Sequence, residues 1–236
     1  MPHGPSPRIQ ITGRARAGKS TLRDALSLLS ARETAPLDVP GRADPILDAD
    51  LVLYVLPGAA NSADRRLLAT LSPARTLVVL NKADAIGCRW PDAAAVADRL
   101  TRVLGHRTFP VVAALAARTR TGTFTPADLH TLHRHRHHTP PAFTLLPELF
   151  TDPSLATDAP ARQTLLDRWT LYGVACALTA LNHAPTLHPR PLLQILHSAS
   201  GIDPLHEELH TRYVAAATRL AESAPPHPPP PPEPFD

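Results

Sequence analysis

The sequence predicts an α/β fold: a doubly wound, mostly parallel sheet over residues 1–125, then an α-helical unit over 126–224 and a proline-rich tail over 225–236. Three observations carry this. The runs DLVLYVL (50–56) and TLVVL (76–80) are almost continuously apolar, as strands covered on both faces of a parallel sheet must be. Strand-like and helix-like segments alternate up to about residue 125, which calls for β-α units. Beyond that point no further strand-like run occurs.

Taken in order, RIQIT (8–12) alternates polar and apolar residues and reads as a strand feeding GRARAGKST (13–21). The stretch from Lys19 to Ser30 sets Leu22, Leu26 and Leu29 at helical spacing. Residues 31–49, rich in Pro, Asp and Gly, read as loop. After the strand at 50–56, ADRRLLATL (63–71) reads as a helix, and TLVVLNKAD (76–84) as a strand running into a polar motif. A helix over 91–104 carries Ala95, Val96, Leu100, Val103 and Leu104 as its apolar stripe. TFPVVAAL (108–115) gives the last strand. Helices are then expected at 126–138, at 161–183, over RPLLQILHSAS (190–200) and over 204–223, with a proline-broken stretch at 139–160. The tail APPHPPPPPEPFD is expected to be extended and disordered.

Composition narrows the function classes. Hydrophobic residues make up 43% of the 236, but aromatics only 4%, so the core must rest on Leu, Val and Ala. The formal charge of +3 is spread along the chain rather than massed, which argues against specific nucleic-acid binding. Cys88 and Cys176 lie far apart and outside any paired motif, as in a reducing compartment. No secretory signal pattern opens the chain, and LYGVACALTAL (171–181) is too short to span a bilayer, so a cytoplasmic location is expected. Arginines number 22 and lysines two, Lys19 and Lys82. Each lysine sits inside a motif, GKS or NKAD, as if lysine persists only where a broad guanidinium would not serve.

GRARAGKS has phosphate-loop spacing between a strand and a helix. Gly13 and Gly18 let the backbone bend around phosphates, with the amides of about residues 16–20 (Arg16, Ala17, Gly18, Lys19 and Ser20) turned inward and Thr21 next in line. Lys19 would reach the terminal phosphates and Ser20 would offer its hydroxyl to Mg²⁺. NKAD ends a buried strand, the place where ligands sit in open α/β sheets. The Asp84 carboxylate can accept from guanine N1–H and its exocyclic amine, whereas adenine would leave that charge unpaired. Asn81 would support the loop, and the stem of Lys82 would cover one face of the base.

This combination resembles a P-loop GTPase of the translation-factor-related class, closest to its Era-like and dynamin-like groups. GRARAGKST resembles the first motif, DVPG (38–41) the third and NKAD the fourth. VAALAA (112–117) resembles the fifth, with Ala113, Ala114 and Leu115 around the guanine oxygen and the Ala114 amide as its contact. The resemblance spans about residues 8–118; the later helices, with SGID at 200–203, are similar to the C-terminal helices of small dynamin-like GTPases. It implies bound GTP or GDP with Mg²⁺, Asp38 reaching the metal through water, and Gly41 offering its amide to the γ-phosphate. It also implies a protein partner, or a GTPase homodimer or heterodimer through the P-loop face or the C-terminal helices, with peripheral membrane contact as a further option.

The departures are as informative. Only 18 residues lie between Lys19 and Asp38, too few for a full switch I region and its strand, and Thr34 is the only threonine placed to bind the metal. Arg42 stands where Ras-type members carry their glutamine, and could balance γ-phosphate charge in cis. Arg14 and Arg16 lie in the loop itself. The expected activity is slow GTP hydrolysis, with Lys19, Asp38 and Gly41 as the catalytic set. The alternative is a catalytically weak nucleotide-binding module, one half of a GTPase pair. An ATP-dependent kinase would need a lid that the sequence does not offer. His130, His133, His137 and His138 form a cluster without nearby cysteines and read as structural or solvated, and Trp169 and Tyr172 read as packing anchors.

Overall fold

Burial on both faces is what the apolar runs encode. Strands β1 (Ile9–Gly13), β3 (Leu51–Leu56) and β4 (Thr76–Asn81) are buried at every position. With β2 (Arg32–Glu33) and β5 (Thr108–Val111) they form a five-stranded sheet in the order β2-β1-β3-β4-β5, every adjacent pair parallel. The computed structural model of the protein describes residues 6–37, 39–41, 43–87, 89–137, 146–154 and 157–223.

Strand alternation sorts the side chains onto two faces. Ile11, Leu53 and Leu77 lie in register across β1, β3 and β4, with Val79 beside Phe109. That face is covered by α1 (Lys19–Ala25), α4 (Ala113–Thr121) and α9 (Ile202–Ser223), whose Leu22, Ala116 and Leu205 are fully buried. The other face presents Val52, Tyr54, Leu56, Val78 and Leu80 to α2 (Ser62–Leu68) and α3 (Trp90–Leu104). A third apolar cluster, around Trp169, joins α4 to α5 (Pro126–His135), α6 (Pro147–Thr151), α7 (Ala159–His183) and α8 (Pro189–Ala199).

Several expectations are corrected. α1 stops at Ala25 because Ser27 takes a left-handed φ of 51°, leaving Leu29 95% exposed rather than in the stripe. The loop at 31–49 contains the short strand β2. The buried stripe of α3 runs through Ala93 and Ala97 with Val96, Leu100 and Leu104, while Ala95 and Val103 face solvent. The strand expected over 108–115 ends at Val111, and residues 113–121, rich in the strong helix former Ala, are helical. The boundary expected at 125 separates strands from helices but not two cores, because α9 returns to cover the sheet.

The long helix α7 is broken. Thr170 has φ 62° and ψ 164°, a conformation that side chains disfavour, and its hydroxyl accepts from Gly173 N at 3.3 Å to start the second half. Arg118 donates to the Leu166 carbonyl at 3.2 Å on the other side of the break. Trp169 is 1% exposed and stacks on Phe124 at 4.3 Å. At the foot of α7 the buried Arg162 binds Asp158 and the carbonyls of Phe150 and Asp152, and His135 meets the same Asp158 at 2.8 Å. That carboxyl sits below its usual range because contacts with His135, Arg134 and Arg162 outweigh desolvation, the largest single influence on it. Among the described residues no helix is long and apolar enough to cross a membrane. Cys88, His138 and the tail lie outside the described residues.

Candidate functional site

The order of strands reverses between β1 and β3: the chain leaves β1 toward β2 on one side and resumes at β3 on the other. In open parallel sheets such a switch point opens a crevice beyond the strands' C-terminal ends. The motif residues cluster at that end. The glycine loop follows β1, Lys82 and Asp84 follow β4, and Ala113, Ala114 and Leu115 follow β5.

The loop's shape requires its glycines. Gly13 has φ 146°, and a Cβ there would lie 2.4 Å from Val55 O. Gly18 has φ 91°, and its Cβ would lie 2.3 Å from Asn81 Nδ2. Between them Arg16 is exposed with φ 57°, and Ala17 is fully buried. Lys19 is 6% exposed, and its Nζ donates to the carbonyls of Gly13 (3.2 Å) and Arg14 (3.1 Å). Among the described residues no acidic side chain pairs with this ammonium. Ser20 is exposed and Thr21 half-buried, both on the first turn of α1.

Asn81 pins the three loops together. Its Nδ2 donates to Ala17 O at 2.9 Å and its Oδ1 accepts from Ala113 N at 3.1 Å, both bonds buried. The corner between α8 and α9 adds a further tie, Val112 N donating to Ser200 O at 2.8 Å. Because Asn81 uses the Ala113 amide, the first-turn amides left to α4 are those of Ala114, which is exposed, and Leu115, whose side chain is buried in the helical cluster. Lys82 is exposed in a left-handed conformation (φ 59°) and starts the 3-10 turn Ala83–Ala85 that carries Asp84. Asp84 is exposed at its rim, yet desolvation by surrounding protein raises its pKa above the ordinary carboxylate value, against the pull of its own backbone hydrogen bond and Lys82.

Two acidic side chains not singled out by the sequence, Glu33 and Asp64, bond to residues of the loop and its helix. Ser20 Oγ donates to Glu33 Oε2 at 2.8 Å. Arg14 turns away from the loop's interior toward α2, donating to Ala59 O at 2.9 Å and pairing with the buried Asp64 at 3.3 Å. Asp64 also accepts from Tyr54 OH at 2.8 Å, and this contact, after desolvation, raises the tyrosine's pKa. Neither partnership has a sequence signal, since each depends on which face a residue takes.

Other expected residues stand apart. Thr34 Oγ1 donates to Thr12 Oγ1 at 2.8 Å, on the sheet face opposite α1, so it is not aimed at Ser20. Gly41 is exposed with φ 74°, and a Cβ there would meet nothing within 4 Å. Asp38 and Arg42 lie outside the described residues. Of the histidine cluster, His133 and His137 contact Arg136, and among the described residues no group of three or more His, Cys, Asp or Glu is arranged to hold a metal. The chain matches no protein-family model and no curated protein sequence.

Proposed function

We propose that this protein binds GTP and GDP at the C-terminal edge of its sheet and hydrolyses GTP slowly, as a P-loop GTPase with an abbreviated switch I region. The observation that carries the reading is Lys19: an almost fully buried ammonium, at a turn that only glycines can form, with neutral carbonyls as its partners. A buried charge without a counter-charge is unfavourable unless an anion completes it. A phosphate group there would be held by Lys19 and by backbone amides of the glycine loop, of which Ala17 N already donates to Arg14 O at 3.4 Å. Asp84 supports guanine over adenine, because a carboxylate at the end of β4 can be satisfied by two converging N–H donors that guanine has and adenine lacks.

In that reading water attacks the γ-phosphate while Lys19 and the loop amides hold the charge on its oxygens. The hydroxyl of Ser20 and the carboxylate at 2.8 Å from it form an oxygen donor set that fits magnesium. The metal, when bound, would neutralise charge on the β- and γ-phosphates. The weak-hydrolase alternative is supported by β2 and Thr34: the strand is two residues long, and the threonine hydroxyl is engaged with Thr12. A protein partner, a second copy among the candidates, and a cytoplasmic setting belong to the same proposal. The test is competition of GTP against ATP for protein-bound fluorescent GDP. GTP should displace the probe and ATP should not, and Lys19→Ala and Asp84→Ala should abolish probe binding. Equal competition by ATP would remove the guanine assignment.

A further inference from the structure

The carboxylate of Glu33 has one hydrogen-bond partner, Ser20 Oγ at 2.8 Å, and no ion pair among the described residues. Its position follows from strand parity. Glu33 pairs in register with Ile11, whose side chain packs under α1, so Glu33 leans toward the helix that begins with Lys19 and Ser20. Thr34, one residue on, falls on the other face, where its hydroxyl meets Thr12 and its amide donates to Ile11 O at 3.0 Å. The backbone of β2 is therefore paired with β1, and the Glu33 side chain leaves it on the α1 face, where it meets Ser20.

We infer that Glu33 is the anionic half of the magnesium site, doing what the sequence assigns to Asp38 and Thr34. The assignment rests on the nucleotide reading of the glycine loop. Magnesium takes oxygen ligands at about 2.0–2.1 Å, so two adjacent oxygens at right angles are about 2.8–3.0 Å apart. Ser20 Oγ and Glu33 Oε2 already stand within a few tenths of an ångström of that spacing. A hydroxyl beside a carboxylate that no cation among the described residues neutralises is a donor pair suited to a hard divalent ion. The short interval before Asp38 then ceases to be a defect, because the acidic oxygen arrives on β2 itself, before the shortened loop begins.

The experiment measures dissociation of fluorescent GDP from the full chain as magnesium is raised from an EDTA-treated start. It is run on the wild type, Glu33→Gln, Glu33→Asp and Asp38→Asn, with Mn²⁺ binding followed in parallel by electron paramagnetic resonance. Glutamine can still accept from Ser20, so Glu33→Gln is expected to fold and to bind the probe in EDTA as the wild type does. It should need at least about 10-fold more magnesium to slow dissociation, since a direct ligand counts for no less than the outer partners whose loss costs about 10–100-fold. Its Mn²⁺ signal should weaken in step. Glu33→Asp, which keeps the charge, should fall between, and Asp38→Asn should shift the midpoint less than Glu33→Gln. A Glu33→Gln protein with the wild-type magnesium midpoint, or a larger shift in Asp38→Asn, overturns the assignment and leaves nucleotide binding standing. A wild type that binds no guanine nucleotide, with or without magnesium, overturns both.

Discussion

Asn81 holds the site together through two buried hydrogen bonds, and removing its amide should loosen three loops at once. Asn81→Ala strands the carbonyl of Ala17 and the amide of Ala113. A buried polar group left without a partner costs about 1–3 kcal/mol, so the pair costs about 2–6 kcal/mol. For a chain of this length 1 kcal/mol corresponds to about 2–4 °C, which places the expected fall in melting temperature at about 4–24 °C. Asn81→Asp gives a sharper version. Its carboxylate can still accept from Ala113 N but confronts Ala17 O with a second acceptor. At neutral pH it should melt as early as the alanine variant. The folded state raises the new carboxyl's pKa, so it binds a proton more tightly than the unfolded chain does. Stability should then return as the pH falls toward that pKa, when the protonated acid can donate to Ala17 O. Thermal unfolding by circular dichroism at neutral and mildly acidic pH, without nucleotide, reads both effects. An Asn81→Ala protein that melts with the wild type would mean that the two buried bonds of Asn81 do not hold the loops.

Two further outcomes follow from single residues. Thr170→Gly should stabilise the chain by about 1–2 kcal/mol in a urea titration, because glycine relieves a strain of about 1–3 kcal/mol and gives up only a weak helix cap; a loss of stability would mean the kink is held by more than its backbone. Guanine-nucleotide affinity should fall on acidification beginning above the ordinary carboxylate range, since the raised pKa of Asp84 lets a proton neutralise it early. Asp84→Asn should bind weakly at every pH, and a wild-type affinity that stays flat through that range would count against its role.

What the sequence made legible is what depends on local pattern. The central strands were readable because Val, Leu and Tyr at every position of β3 have no polar face to leave outside. The glycine loop was readable because its glycines answer to backbone geometry, each blocked by a specific neighbour, Val55 O or Asn81 Nδ2. What escaped depends on partners distant in sequence. β2 is two charged residues with no strand propensity, and exists because β1 offers its edge. The VVAAL run crosses from strand to helix without a polar break, so periodicity could not find the junction at Val112. The kink at Thr170 lies in a segment whose composition is helical throughout, and the face that α9 lays on the sheet looks like that of any amphipathic helix. Glu33 was missed for the same reason: its meaning comes from the parity of a strand that the sequence does not announce.

If the buried Lys19 receives a guanine nucleotide's phosphates, the folded state gains stability from that nucleotide. The most direct measurement is the melting temperature of the wild type and of Lys19→Met with GDP or ADP present. At a GDP concentration about 100 times the dissociation constant, binding stabilises the folded state by about 2.7 kcal/mol, or about 5–10 °C for a chain of this size. On this reading the wild type shows that shift with GDP and little with ADP, and Lys19→Met shows none with either. An unmoved wild-type transition, an equal rise with ADP, or a Lys19→Met protein that GDP protects as well as the wild type would contradict it.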